Sequence, residues 1–576
     1  MYRAGWGKKD IQIKPQGYAM YGYGQWNHRA YEQQTPLYAR ALFIADQAGH
    51  ALIFCCLDLG CVTGAMRAGI CTALQVQMGE MFNESTFVLT ATHTHSGPGG
   101  CAHEALYNMP TPGFVPAHVD EIVNASVLAI TSAWLSAAPT DLGLGRTTFA
   151  LDVPVAWNRS LASYNRNPDV TKRDRSQSHL ALDRSMALLS FRRDGELNAL
   201  LSLFGVHATC LGNTLNRHDG DNKGYAAAQA ELTLEKQGVH DAVAIFAQAT
   251  AGDVSPHYHG KGEVARRKKI FGAYEYVYAE QNGRYQSEQA LSALSNPNEY
   301  AIQGNIDSIL SFIEFSDIHA APEYANGETE AWTSDPCHGV AFFKGTPVDG
   351  PGIPPLLAKT VTGLANATKA FHLRVLSKNV VEGAYYQRLY AAQGNKAILF
   401  ESGAGRKRIL GRPMEKVLPS LIDPLIAEMK RQIKIGAIKD SPLVPTRLPL
   451  QIITIGQLAL VCCPGEFTTM AGKRLLDTVR ERLIKRGIEH VLICTYCNDY
   501  MGYVTTQEEY QQQAYEGGHT LFGQWTLAAF QTCFADLAEQ LLKPDAKRTH
   551  DRITRPLPVP AEELLLRSHL AVPKQS

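Results

Sequence analysis

Phe87-Val-Leu-Thr-Ala-Thr-His-Thr-His-Ser-Gly-Pro-Gly-Gly100 decides which class of fold this chain can adopt. Its apolar start is too short for a helix and breaks into a glycine-rich turn, the way a buried strand leaves a sheet. In folds that alternate strands with helices, the loops just past such exits carry the chemistry. His93 and His95 stand two residues apart, so on a continuing strand they would face the same side. Neutral imidazole is the commonest metal ligand; two hydrogen-bonded turn histidines account for the same spacing.

Three other apolar regions end in the same manner. Leu200-Leu-Ser-Leu-Phe-Gly-Val-His207 is followed by Cys210-Leu-Gly-Asn-Thr214 and Gly220-Asp-Asn-Lys-Gly-Tyr225. A lone histidine after a strand is more often a satisfied core residue, although the dense polar run behind His207 also suits a site. Ala242-Val-Ala-Ile-Phe-Ala-Gln-Ala-Thr-Ala-Gly-Asp-Val-Ser-Pro256 brings Ser255 to a strand exit, where a hydroxyl can be presented for catalysis. Most such serines cap turns, and this is not the Gly-x-Ser-x-Gly elbow. His257 and His259 form a rival pair behind Pro256. Ile452 to Cys463 runs into Pro464-Gly-Glu-Phe-Thr-Thr-Met-Ala-Gly472, with Glu466 where a strand hands over to a helix. A helix dipole alone would stabilise that carboxylate; a metal would do so more strongly. Val491 to Tyr496 then leads into Asn498-Asp-Tyr-Met-Gly-Tyr-Val-Thr-Thr506 and Glu508-Glu-Tyr-Gln-Gln-Gln-Ala-Tyr-Glu-Gly517. Tyrosine is dense here, and its phenol can donate to an oxyanion or serve as an oxygen ligand.

Outward from these exits, strands and helices alternate. Ala41–Ala45 and Ala51–Cys55 read as a hairpin around Asp46-Gln-Ala-Gly49, and Met186–Phe191 and Leu200–Phe204 as another around Asp194-Gly195. Residues 64–79 and 119–136 carry helical apolar spacing. Leu527, Phe530, Phe534, Leu537 and Leu541 form an amphipathic stripe. The expected class is α/β, with layered mixed β-sheets covered by helices in a single large catalytic domain, residues 1–543. Residues 155–180 and 318–360 read as irregular, and 544–576 as a poorly packed polar tail.

Hydrophobic residues make up 45% of the 576 and charged ones 19%, an ordinary globular balance. With 55 basic and 55 acidic residues there is no net charge, so the basic field a nucleic-acid binder needs is absent. No stretch reaches the roughly 18 apolar residues of a membrane span; peripheral membrane contact stays open. The N-terminus lacks an apolar signal region, and cysteines such as Cys55, Cys56, Cys210, Cys462 and Cys463 sit in strand-like surroundings. Cytoplasmic residence is therefore expected, with non-classical export as the alternative. Cys494 and Cys497 read as structural, lacking a second such pair.

Two histidines and one glutamate with an open position make a hydrolytic zinc set, but residue types alone do not choose which three. In Thr92-His-Thr-His-Ser-Gly-Pro-Gly-Gly100, Gly220-Asp-Asn-Lys-Gly-Tyr-Ala226, Gly252-Asp-Val-Ser-Pro256, Pro464–Gly472 and Tyr503-Val-Thr-Thr506 through Tyr515-Glu-Gly517, the chain resembles the neutral/alkaline non-lysosomal ceramidase family. Leu37-Tyr-Ala-Arg-Ala41 and Asp58-Leu-Gly60 also look like family positions, and the likeness runs from about Gly5 to about Leu542. The resemblance implies a zinc-dependent amidohydrolase. It implies zinc ligands at His93, His207, Glu466 and Tyr503, a nucleophilic Ser255, contacts to the reacting amide from His95 and Arg159, and an oxyanion donor at Tyr515. It further implies hydrolysis of ceramide (N-acylsphingosine) to sphingosine and fatty acid. The alternatives are a zinc amidase for another N-acyl lipid or small amide, and a catalytically silent lipid- or metal-binding protein. The C-terminal Ig-like domain of lipid-acting members is expected to be absent, since too few residues follow the matching helix.

Overall fold

The computed structural model describes residues 1–111, 113–257, 270–295, 299–346, 348–375, 379–416 and 424–568. Eight strands are β1 (Tyr2–Asp10), β2 (Tyr38–Ala45), β3 (Ala51–Leu57), β4 (Phe87–Ala91), β5 (Ala138–Thr148), β6 (Ser185–Arg193), β7 (Glu196–Leu203) and β8 (Val243–Ala247). They line up as β8-β7-β6-β5-β1-β2-β3-β4, and Tyr300–Ala301 pairs with β5 as a ninth strand. A second sheet, β9 (Ile306–Glu314), β10 (Arg447–Ile455), β11 (Leu458–Cys462) and β12 (His490–Cys494), runs in chain order.

Period-two alternation sorts these strands into layers. Leu42, Ile44, Leu189, Leu201 and Ile245 of the large sheet pack with Ile453, Leu460 and Leu492 of the small one, forming a core between the sheets. Their neighbours point the other way. Ala41, Phe43 and Leu89 meet the helices Gly64–Met78 and Pro116–Leu135. Leu188, Leu200 and Phe246 meet Asp221–Lys236 and Ala273–Leu294. Ile452, Val461 and Ile493 meet Thr469–Leu483 and Thr526–Leu541. The result is four layers, helix–sheet–sheet–helix, which is the expected α/β class of mixed sheets covered by helices. Both expected hairpins form, as β2–β3 and β6–β7. The second closes through Asp194 (φ 51°) and Gly195 (φ 83°), two consecutive left-handed residues that follow the strand twist.

Three parallel pairs, β3–β4, β8–β7 and β11–β12, bring strand ends together. Thr495 N donates to the Gln248 carbonyl, Asn498 N to Leu89 O and Gly252 N to Phe467 O, so the exits of β4, β8, β11 and β12 are stitched to one another across the two sheets.

Residues 544–568 are mostly exposed, as a polar tail suggests, but are pinned at Arg548, Glu563 and Arg567; 569–576 lie outside the described residues. Arg548 is buried against Asp307 of β9. The helix Ala561–Ser568 buries Arg567, which donates to the carbonyls of Ala437 and His103, to Ser441 Oγ and to Glu563. Charge-assisted hydrogen bonds hold this polar segment at those points. Cys494 and Cys497 are buried free thiols, and no helix among the described residues is long and apolar enough to cross a membrane.

Candidate metal centre and active site

Five strand exits supply the site: β4 leads to His93, β7 to His207, β8 to Ser255, β11 to Glu466 and β12 to Tyr503. β4 ends at Ala91, and His93 then adopts φ 67°, so the strand does not continue through the two histidines to set them on one side. Instead Thr94 bridges Ala208, and His95 N donates to Ala208 O (3.3 Å), laying this turn beside the segment that carries His207. A two-residue parallel pairing aligns Glu466 with Tyr503. An antiparallel one aligns Ser255 with Trp157 and leads into Arg159. Asp253 locks that turn, accepting from Asn158 (2.7 Å) and from the Thr469 amide and hydroxyl (2.8 and 2.9 Å).

His93 directs Nδ1 at the Gly60 carbonyl, and His207 directs Nδ1 at the Ala251 carbonyl (2.6 Å). A carbonyl accepts only, so both protons sit on Nδ1 and both Nε2 atoms carry lone pairs. Those lone pairs face the Glu466 carboxylate at 3.5 and 3.0 Å, with all three side chains buried. Two lone pairs against an anion, sealed from water, need a cation between them. Tyr503 OH lies 3.2 Å from His207 Nε2, and Tyr496 and Tyr500 donate to the two Glu466 oxygens. The ring nitrogens of His93, His95 and His207 lie within 4.8 Å of one another. This donor set fits a bound metal.

His95 differs from the other two. Its Nε2 is 3.1 Å from His93 Nε2, while buried Nδ1 has no hydrogen-bond partner among the described residues. Its ring is held by the edge of Tyr23 (4.7 Å) and by Gly22, at which a Cβ would run into the imidazole. Gly22 also has φ 113°, a conformation open mainly to glycine. Gly22→Ala should therefore displace His95 and lower turnover by about tenfold or more. Metal content should be retained; equal turnover in the two proteins would contradict this placement.

Arg159 is the hub of the second half. It donates to Asp349 (3.0 Å), Glu516 (2.9 Å), the Gly252 carbonyl (2.9 Å) and Tyr503 OH (3.0 Å). Its guanidinium lies 5.5 Å from the Tyr515 ring centroid. Ser255, fully buried, donates to Asp349 Oδ1 (2.8 Å), as does Thr209 (3.2 Å). His207 N donates to the carbonyl of Val254 (3.0 Å), so serine and metal-facing imidazole sit on paired backbone. Burial disfavours the Asp349 charge, but Arg159 prevails and keeps the carboxyl ionised far into acid.

The structure thus gathers His93, His207, Glu466 and Tyr503 at one point. His95 stands beside them; Arg159 and Tyr515 adjoin through Tyr503, and Ser255 through Asp349 and Arg159. His257 is instead tied to the Thr209 carbonyl, with its amide on Ser255 Oγ; His259 lies outside the described residues. Sequence reasoning misses Asp349, Glu516, Tyr496 and Tyr500. Asp349 lies in 318–360, a stretch that reads as irregular, and no spacing links it to Ser255. The tyrosine density of 496–515 is the signal that points to the Glu466 partners.

The family profile "Neutral/alkaline non-lysosomal ceramidase, N-terminal" matches residues 2–415 and 427–532. The neutral ceramidase of Pseudomonas aeruginosa is 32% identical over 545 residues, covering 94% of this chain and 72% of that protein. The neutral ceramidase of Mycobacterium tuberculosis is 29% identical, covering 94% and 77%. Among solved structures, "Ceramidase complexed with C2" superposes with a TM-score of 0.76 at 30% identity, covering 94% of this chain and 75% of that one. The crystal structure of the Pseudomonas aeruginosa neutral ceramidase gives 0.73 at 30% identity, covering 94% and 74%. With the profile spanning nearly the whole length and the fold shared, this chain belongs to the neutral/alkaline non-lysosomal ceramidase family of hydrolases.

Proposed function

We propose that the chain is a zinc-dependent amidohydrolase that splits the amide of N-acylsphingosine into sphingosine and a fatty acid. One observation carries the zinc reading: two carbonyl-locked imidazoles turn their Nε2 lone pairs on a buried carboxylate. His93, His207, Glu466 and Tyr503 would hold the ion. When bound, zinc supplies Lewis-acid polarisation of the amide carbonyl. The substrate reading rests on the family.

The chain's own groups divide the remaining work. Arg159, fixed by four partners, and Tyr515 are the donors for the oxyanion that develops as the carbonyl is attacked. His95 carries the proton to the departing amine; its tautomer is not locked by a carbonyl, which suits a group that must take up and release a proton. Net hydrolysis breaks the C–N bond, adds hydroxide to the acyl carbon and a proton to the nitrogen. Ser255 either attacks through Oγ or places the attacking water. An acyl group trapped on Ser255 by a slow substrate selects the first course, and its absence the second.

The test pairs metal analysis with a release assay on N-acylsphingosines and on water-soluble amides. The expected result is one zinc per chain, loss of turnover on chelation and recovery on adding zinc back. Faster release from the sphingosine derivatives is expected as well. Equal turnover of soluble amides would favour a zinc amidase of other specificity. A protein without stoichiometric zinc, unaffected by His93→Ala, would end the enzymatic reading.

A further inference from the structure

The helix Pro355–Arg374 is built inside out. Its buried stripe, seven residues apart, is Ala358, Ala365 and His372. Its larger apolar residues face water: Leu356 is 79% exposed, Leu364 52% and Phe371 52%, with Leu357 and Val375 also exposed. Leu357, Leu364 and Phe371 repeat every seven residues, so they share one face at about 10 Å intervals. An amphipathic surface helix ordinarily buries such residues and shows its small ones. The inner face is already satisfied, because Ala358 and Ala365 pack on Val340 with Ile353, Leu399 and Leu410 alongside. The outer stripe therefore serves something outside the fold.

Charge says what that is. From Gly352 to Val375 the chain carries Lys359, Lys369 and Arg374 and no aspartate or glutamate, although it is neutral overall. Lys359 and Arg374 are exposed beside the stripe. A second copy docking face to face would set these cations against their own counterparts. Anionic headgroups would pair with Lys359 and suit the net positive segment while the acyl boundary accepts the leucines and phenylalanine. Location agrees. Val340 belongs to the short helix Val340–Phe343, whose Phe342 packs on Tyr515 (5.0 Å) at the edge of the site. Gly350, just before the helix, lies against Tyr23, the ring that holds His95.

We infer that Pro355–Arg374 docks on an anionic lipid surface through Leu356, Leu357, Leu364 and Phe371, placing the site beside the membrane. Its use in drawing lipid substrate rests on the function proposed above; the binding itself does not. The experiment is co-sedimentation of the full chain with phosphatidylcholine vesicles and with vesicles containing phosphatidylglycerol, without turnover. The wild type should bind the anionic vesicles, and added salt should weaken that binding. L357E/L364E/F371E should bind about tenfold less or worse, and K359E/R374E should lose the preference for phosphatidylglycerol. Both variants should match the wild type on a short-chain soluble N-acyl substrate and fall on the same amide embedded in vesicles. No binding by the wild type, equal binding by the triple variant, or a wild-type dimer that the triple variant dissolves would overturn the inference. Binding without ceramide turnover would instead remove the proposed function and leave the docking face standing.

Discussion

Glu466→Gln should empty the metal centre and lower turnover by on the order of 10³-fold or more, about 4 kcal/mol in the barrier. The substitution is isosteric and removes only the charge. In the metal-free protein it should not destabilise, because a glutamine amide can donate to the His207 lone pair now facing a carboxylate oxygen at 3.0 Å. Replacing a buried anion by a neutral group that satisfies the same neighbours is often neutral or stabilising. The two effects therefore part company. Zinc at about 1,000 times its Kd should add ~4 kcal/mol to the wild type and nothing to the variant. Thermal unfolding with and without zinc, alongside metal stoichiometry, reads both. A variant that keeps zinc and its thermal shift would show that Glu466 is not a ligand.

The second large effect is expected at Asp349, the residue that ties Ser255 to Arg159. Asp349→Ala leaves the serine and Thr209 hydroxyls without their acceptor and Arg159 with one carboxylate in place of two. Turnover should fall about 10²-fold, the scale of a lost electrostatic positioning group. Stability should fall by ~3 kcal/mol, because one member of a buried pair is removed. If Asp349 acts through Ser255, adding Asp349→Ala to a Ser255→Ala background should cost little further turnover, whereas independent effects would multiply. Asp349→Asn isolates the charge. The folded-state carboxyl is held down by Arg159 despite burial. Its stabilisation is therefore complete above the unfolded carboxylate pKa of about 4 and is lost as pH falls through the folded value. The asparagine variant should lack that part of the acid slope. Multiplicative losses in turnover would leave Asp349 as fold support only.

Much of the scaffold is legible in the residues alone. Short apolar runs mark β2, β3, β6 and β7 and the turns between them, because such runs and left-handed turn residues are local properties. The heptad-like spacing of Leu527, Phe530, Phe534, Leu537 and Leu541 places the helix Thr526–Leu541 for the same reason. Strand exits at His93, His207, Ser255 and Glu466 are visible as apolar runs breaking into glycine-bearing loops. The polar reading of residues 544–568 matches their exposure, but composition cannot show that Arg567 finds four partners.

The residues themselves determined where the chain leaves its strands and which side chains wait there, and the resemblance chose among them. Only tertiary structure decided which exits meet. Sheet order and parallel pairing set five distant loops at one end of a two-sheet sandwich. The backbone carbonyls of Gly60 and Ala251 then selected the tautomers that turn two imidazoles into ligands. Asp349 reached Ser255 from 94 positions away. Such contacts depend on long-range packing, which local periodicity does not encode.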